Sequence, residues 1–134
     1  MNRIDHTGIV VRSIKEHYEC YLSHLFPSES LGPTIPDPLQ KVNVRFIDVR
    51  GGRIELVEPA TPDSPVTEFA KKFPAGYHHI CLEVDDLDNS LEECRKAHQI
   101  VVSPPKPAVA FNNRRIAFVV GKDGLLWELL EGGE

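Results

Sequence analysis

The chain has no apolar run approaching the roughly 20 residues that a membrane helix needs, no block of Lys or Arg, and a single Trp and a single Met. The first absence argues against membrane insertion, so no membrane partner is expected. The second, with a net charge of −5, argues against nucleic acid, which is held by clustered basic side chains. No signal-peptide pattern precedes Ile4–Val11, and a cytoplasmic location is expected. Cys20, Cys81 and Cys94 are odd in number and lack metal-ligand spacing. They do not make a disulfide framework and suit reduced thiols. Cys81 and Cys94 fall within apolar patterns and are expected as buried packing residues. Prolines cluster at Pro27–Pro38, Pro59–Pro65 and Pro104–Pro107, where they mark loops. The chain's 134 residues are enough for one globular domain with a core.

What the sequence does contain is a repeat. His6 and Glu55 are 49 residues apart, and so are His79 and Glu128. A shift of 73 residues lays one pair on the other without a gap. The flanks follow, with Val11 on Val84, Ile14 on Leu87, Gly51 on Gly124, Leu56 on Leu129 and Glu58 on Glu131. Two copies of one supersecondary unit, each with an early His and a late Glu, would bring two imidazoles and two carboxylates to one point. That donor set suits a divalent metal.

Each copy reads as β-α-β-β-β. In the first, Asp5–Val11 alternates as a strand. Ser13 with Glu16 forms a capping-box pattern for a helix over about Ile14 to Leu25. Its stripe would be Ile14, Tyr18, Tyr21, Leu22 and Leu25. Residues 28–40 are loop with a short strand, and Val42–Val49 and Arg53–Glu58 form a hairpin about Gly51-Gly52. In the second, Tyr77–Val84 is a strand, and Asp86 caps a helix from Leu87 to about Ala97. A short strand, Ile100–Val102, ends at Pro104-Pro105. Arg115–Val120 and Leu125–Leu130 form the last hairpin. The chain is therefore read as one α+β domain over 1–134, with module one at 1–64, a linker helix at about 65–73 and module two at 74–134.

Side-chain alternation along strands sets the direction of the candidates. Ile80, Leu82 and Val84 share a face with His78, whereas His79, Cys81 and Glu83 take the other. His6 lies opposite Ile9 and Val11, Glu55 opposite Ile54 and Leu56, and Glu128 opposite Trp127 and Leu129. All four candidates thus point away from the helix-packing face, where a concave sheet could form a site. His17, His24, His78 and His98 have no matching partners in the repeat and read as structural or solvated.

The segments Ile4-Asp5-His6-Thr7-Gly8-Ile9, Arg53-Ile54-Glu55-Leu56-Val57-Glu58-Pro59, His78-His79-Ile80-Cys81-Leu82-Glu83-Val84-Asp85-Asp86 and Trp127-Glu128-Leu129-Leu130 resemble the vicinal oxygen chelate (glyoxalase/bleomycin resistance) superfamily. Within it they are most similar to the methylmalonyl-CoA epimerases. The resemblance spans nearly the whole chain, and the segment beginning at His78 is its most specific part. It implies two tandem βαβββ modules forming a curved mixed sheet, with a divalent metal (Co, Mn, Ni or Zn) on the concave face. The implied ligands are His6, Glu55, His79 and Glu128. Glu128 would also serve as the catalytic acid/base, moving the proton alpha to a carbonyl. The substrate would be a small molecule such as an acyl-CoA thioester, and a homodimer is expected.

The chain departs from the epimerase pattern in three places. Asn43-Val44-Arg45 stands where some epimerases carry a second acid/base Glu. Val119-Val120-Gly121-Lys122 replaces a His-Pro-Lys segment. Phe111-Asn112-Asn113-Arg114-Arg115 replaces a glycine-rich loop, and Phe111 and Asn112 could shape the substrate mouth. Lys71, Lys72, Arg114, Arg115 and Lys122 could meet coenzyme A phosphates or be solvated. A glyoxalase I-like lyase acting on a glutathione hemithioacetal uses the same four ligands and remains an alternative. So does a non-catalytic, resistance-type binding protein, although such relatives commonly lack the metal residues. An iron extradiol dioxygenase ranks last, because Glu55 would crowd its three-residue centre.

Overall fold

In the computed structural model, which describes residues 2–133, the β-α-β-β-β order occurs twice. The first run is β1 (Arg3–Val11), α1 (Ile14–His17), β2 (Ile35–Asp37), β3 (Val42–Val49) and β4 (Gly52–Pro59). After α2 (Thr67–Lys72), the second run is β5 (Ala75–Val84), α3 (Leu87–Lys96), β6 (Ile100–Pro107), β7 (Arg115–Val120) and β8 (Leu126–Glu131). Packing groups the chain into two compact units. One is Thr7–His78; the other joins the residues up to His6 to those from His79 onward.

Within the Thr7–His78 unit the strand order is β2-β3-β4-β1, and β5-β8-β7-β6 is the order in the second run. The first and last strands of each run pair in parallel, β1 with β4 and β5 with β8. The remaining neighbours are antiparallel. A parallel pair needs a long crossover, and the helix and intervening strands of each run supply it. The fold class is α+β, as expected. The register also repeats: Gly8 pairs with Glu55, and Cys81, which lies 73 residues after Gly8, pairs with Glu128.

Each unit buries the helix-facing side of its strands. Val11, Ile14, Ile47 and Leu56 form one core, with Ile9, Val49 and Ile54 packed against it. Val84, Leu87, Leu91, Ala117, Val119 and Leu129 form the other, with Leu82 and Trp127 at its margin. The helix starts follow local chemistry. The Ser13 hydroxyl accepts the Glu16 N–H at 3.2 Å, and the Asp86 carboxylate accepts the Asn89 N–H at 3.0 Å. At the hairpin, Gly51 takes φ of 93°, a backbone state that costs glycine little.

Two elements and one cysteine differ from the sequence reading. The helix expected to about Leu25 holds α-geometry only through His17, then passes into a π-turn at Tyr18–Leu22. The wider i→i+5 turn rotates the following residues around the axis. Tyr21 and Leu25 are therefore 64% and 63% exposed, while Leu22 packs on the core as expected and Phe26 joins it there. β6 runs on through Pro104-Pro105 to Pro107, with register shifts on either side of Ser103. As the last strand in its order, it tolerates residues that donate no ladder hydrogen bond. Cys81 is buried as expected, whereas Cys94 is only partly buried, because it packs at the margin of the α3 core rather than within it.

Candidate metal centre

Three of the four expected ligands converge within one unit. His6 on β1, His79 on β5 and Glu128 on β8 are 1%, 6% and 3% exposed. The two imidazole Nε2 atoms are 3.2 Å apart. Glu128 Oε1 stands 3.1 Å from each of them. Alternation explains the convergence: in β8, Trp127 and Leu129 go to the α3 core, which leaves Glu128 on the opposite face. The same alternation in β5 sends Leu82 and Val84 to that core and His79 and Cys81 away from it.

The triangle fits one divalent ion. Two donors at ~2.1 Å from a metal and at right angles to each other stand ~3.0 Å apart, and at the tetrahedral angle ~3.4 Å. Edges of 3.1, 3.1 and 3.2 Å lie between those limits. Two imidazole nitrogens and a carboxylate oxygen are also a borderline-hard donor set that accepts Zn, Co, Ni or Mn. Without a cation the three groups can share only the one hydrogen that each neutral imidazole carries, whereas a cation can meet a lone pair from each of them at once.

The surroundings are aromatic. The Phe111 ring lies parallel to His6 with centroids 5.8 Å apart, and Phe118 meets His79 edge-on at 5.4 Å. Phe118 also pairs with Glu128 across the β7–β8 ladder. Phe111 closes a short 3₁₀ turn, Val109–Phe111, followed by Asn112 and Asn113 at φ of 54° and 64°. Asn is among the few side chains that accept this left-handed state readily. Phe111 is therefore a buried wall beside His6, 5% exposed. Beneath the site Cys81 is fully buried, and burial pushes its thiol up to about 12. It stays protonated and apolar in character.

Glu55 is described within the other unit. It is 6% exposed on β4 and sits between Gly8 of β1 and Phe46 of β3 in the ladder. The Phe partner matches that of Glu128.

Sequence reasoning missed Asp5. Simple alternation sets it opposite His6, yet its Oδ2 lies 2.8 Å from His6 Nδ1, and its side chain is 9% exposed. The available signal was a carboxylate directly adjoining a candidate ligand. Of the basic residues considered for phosphate contact, Arg114 donates to Glu83 Oε2 at 3.1 Å and to the Glu131 carbonyl at 3.0 Å. Arg115 pairs with Asp88 and Glu131, and Lys71 with Glu68. His78 packs edge-on against Phe69 at 5.1 Å.

Paired βαβββ runs that turn two imidazoles and a carboxylate toward one another define a class of α+β protein with a metal-competent centre. The chain belongs to the glyoxalase/bleomycin resistance protein/dioxygenase superfamily, whose family model matches residues 5–118. An uncharacterized protein of Bacillus subtilis, YqjC, is 37% identical over 98% of this chain and 93% of its own length. The ethylmalonyl-CoA/methylmalonyl-CoA epimerase of Cereibacter sphaeroides is 30% identical, covering 96% of this chain and 97% of its own. Among solved structures, a Streptomyces coelicolor methylmalonyl-CoA epimerase in complex with 2-nitronate-propionyl-CoA superposes with a TM-score of 0.79. It is 28% identical and covers 98% of both chains.

Proposed function

We propose that the chain is a metal-dependent epimerase that removes the proton alpha to the thioester carbonyl of an acyl-CoA such as methylmalonyl-CoA. The observation that carries this reading is the buried triangle of His6 Nε2, His79 Nε2 and Glu128 Oε1, with edges of 3.1 to 3.2 Å. The likeness to epimerases over nearly the whole chain supports the substrate class.

His6, Glu55, His79 and Glu128 would be the ligands. Support for Glu55 comes from the repeat. Its ladder partner Gly8 stands two residues after His6, as Glu128's partner Cys81 stands two residues after His79. The same strand register therefore relates each Glu to its own His. A divalent ion held there would act as a Lewis acid toward a substrate oxygen.

Glu128 would take the C2 proton and return it, since a carboxylate with one oxygen toward the imidazoles has a second with which to accept a proton. His6 and His79 would hold their Nε2 lone pairs inward, while Phe111 and Phe118 exclude water and strengthen every charge interaction inside. Asn43 does not replace a second base: its amide donates to Glu58 at 3.2 Å, and Glu58 also accepts the Ile14 N–H at 2.7 Å. Glu128 would then serve its own face of C2, and a water molecule would deliver or remove the proton on the opposite face of the planar enolate.

The test is deuterium uptake at C2 of methylmalonyl-CoA in heavy water, with and without cobalt. Metal-dependent exchange that falls by about 100-fold or more in Glu128→Gln is expected, the range general-base removal usually gives. Undiminished exchange in that variant removes Glu128 from the role. No exchange from protein shown to bind cobalt removes this substrate.

A further inference from the structure

We propose that Asp5 is a positioning residue that fixes the tautomer of His6 and so turns its Nε2 lone pair into the centre. The inference rests on the metal-site reading above. His6 Nδ1 lies 2.8 Å from Asp5 Oδ2, and its Nε2 lies 3.1 Å from Glu128 Oε1 and 3.2 Å from His79 Nε2. A neutral imidazole carries one N–H. The shorter, charge-assisted bond to a carboxylate 9% exposed places that proton on Nδ1, which donates to Asp5. Nε2 then presents its lone pair to the site, the form a metal takes. A carboxylate behind a ligating imidazole also raises its basicity and fixes the ring plane. Phe111, stacked at 9° to the ring, holds the same plane from one side.

The repeat shows that this is not a property of the module. A shift of 73 residues sets Asp5 on His78, so His79 has an imidazole, not a carboxylate, as its preceding neighbour. His78 packs edge-on against Phe69. A carboxylate adjoining the ligating imidazole in sequence is therefore a feature of His6 that the 73-residue repeat does not carry to His79.

Two measurements test the proposal. In the metal-free protein, a long-range proton–nitrogen correlation spectrum reports which ring nitrogen of His6 carries hydrogen, the signal being assigned by its loss in His6→Gln. Hydrogen on Nδ1 is expected, shifting toward a mixture in Asp5→Asn. Titration with cobalt is then expected to give a Kd about 10–100-fold weaker in Asp5→Asn than in the parent, with His78→Ala unchanged as the matched control from the other module. His6 carrying its hydrogen on Nε2 in the parent overturns the proposal, as does an Asp5→Asn variant with the same tautomer and the same Kd. The spectrum of the parent decides the matter even if the variant does not fold. A parent with Nδ1–H at His6 that binds no cobalt leaves Asp5 its role and removes the metal reading instead.

Discussion

His79 and His78 adjoin in sequence, yet strand alternation gives them different surroundings. His79 Nε2 lies 3.1 Å from Glu128 and is buried, whereas His78 meets the Phe69 ring. His79→Ala should remove one of the converging donors and weaken cobalt binding by at least about 100-fold, because the remaining groups leave a gap in the buried triangle. His78→Ala should leave the cobalt Kd within about twofold, at the cost of some packing against Phe69. Calorimetric titration of both variants checks this, and equal losses would mean that strand geometry does not sort the two rings. This distinction was legible in the sequence because alternation is a local rule and because the spacing of 49 residues occurs twice. Asp5 was legible only as a carboxylate next to His6 in sequence, not as its partner. Alternation alone sets it on the wrong face, and only the observed side-chain geometry brings its carboxylate to His6 Nδ1.

Among the elements, the starts of helices were legible and their later course was not. Ser13 and Asp86 cap the first turn by hydrogen bonds to residues three positions on, and such signals lie wholly within the sequence window. The π-turn at Tyr18–Leu22 depends on tertiary partners. Tyr18 Oη donates to the Phe26 carbonyl at 2.6 Å, and Leu22 and Phe26 pack on the Val11 core. Likewise Pro104-Pro105 reads as a strand end until the strand is known to be the last in its order. For α3, ten residues are too few to persist alone, so its stability comes from Leu87 and Leu91 in the core and from its cap. Asp86→Ala should cost about 1 kcal/mol, lowering the Tm by roughly 4 °C for a chain of this size. Thermal melts followed by circular dichroism measure it. No change in Tm would show that the Asp86 bond contributes nothing beyond what water supplies.

At the scale of the whole molecule, the ionic network bears on acid stability. Arg3 and Arg114 both reach Glu83, and hydrogen bonding to Arg3 comes first in holding its carboxyl below the usual range. Arg115 lowers Asp88 in the same way. Bonding to Lys41, then to Thr61, brings Asp63 down to about 2. A carboxyl whose folded-state pKa is depressed contributes stability that is complete above its unfolded value and is lost as pH falls through its folded value. The window therefore opens near pH 4.5 for Glu83 and closes toward about 2 for Asp63. Urea unfolding at pH 7 and pH 3 should show a smaller drop in stability for Glu83→Gln than for the parent, because the variant has already lost that carboxylate's share at pH 7. Exposed pairs are screened by salt, and Arg3 is well exposed, with a side chain 69% accessible. Repeating the comparison in 1 M sodium chloride should shrink the difference between parent and variant. If the drop between pH 7 and pH 3 is the same in both proteins at low salt, the link between Glu83 and its two arginines does not govern acid stability, and other carboxyls must be sought.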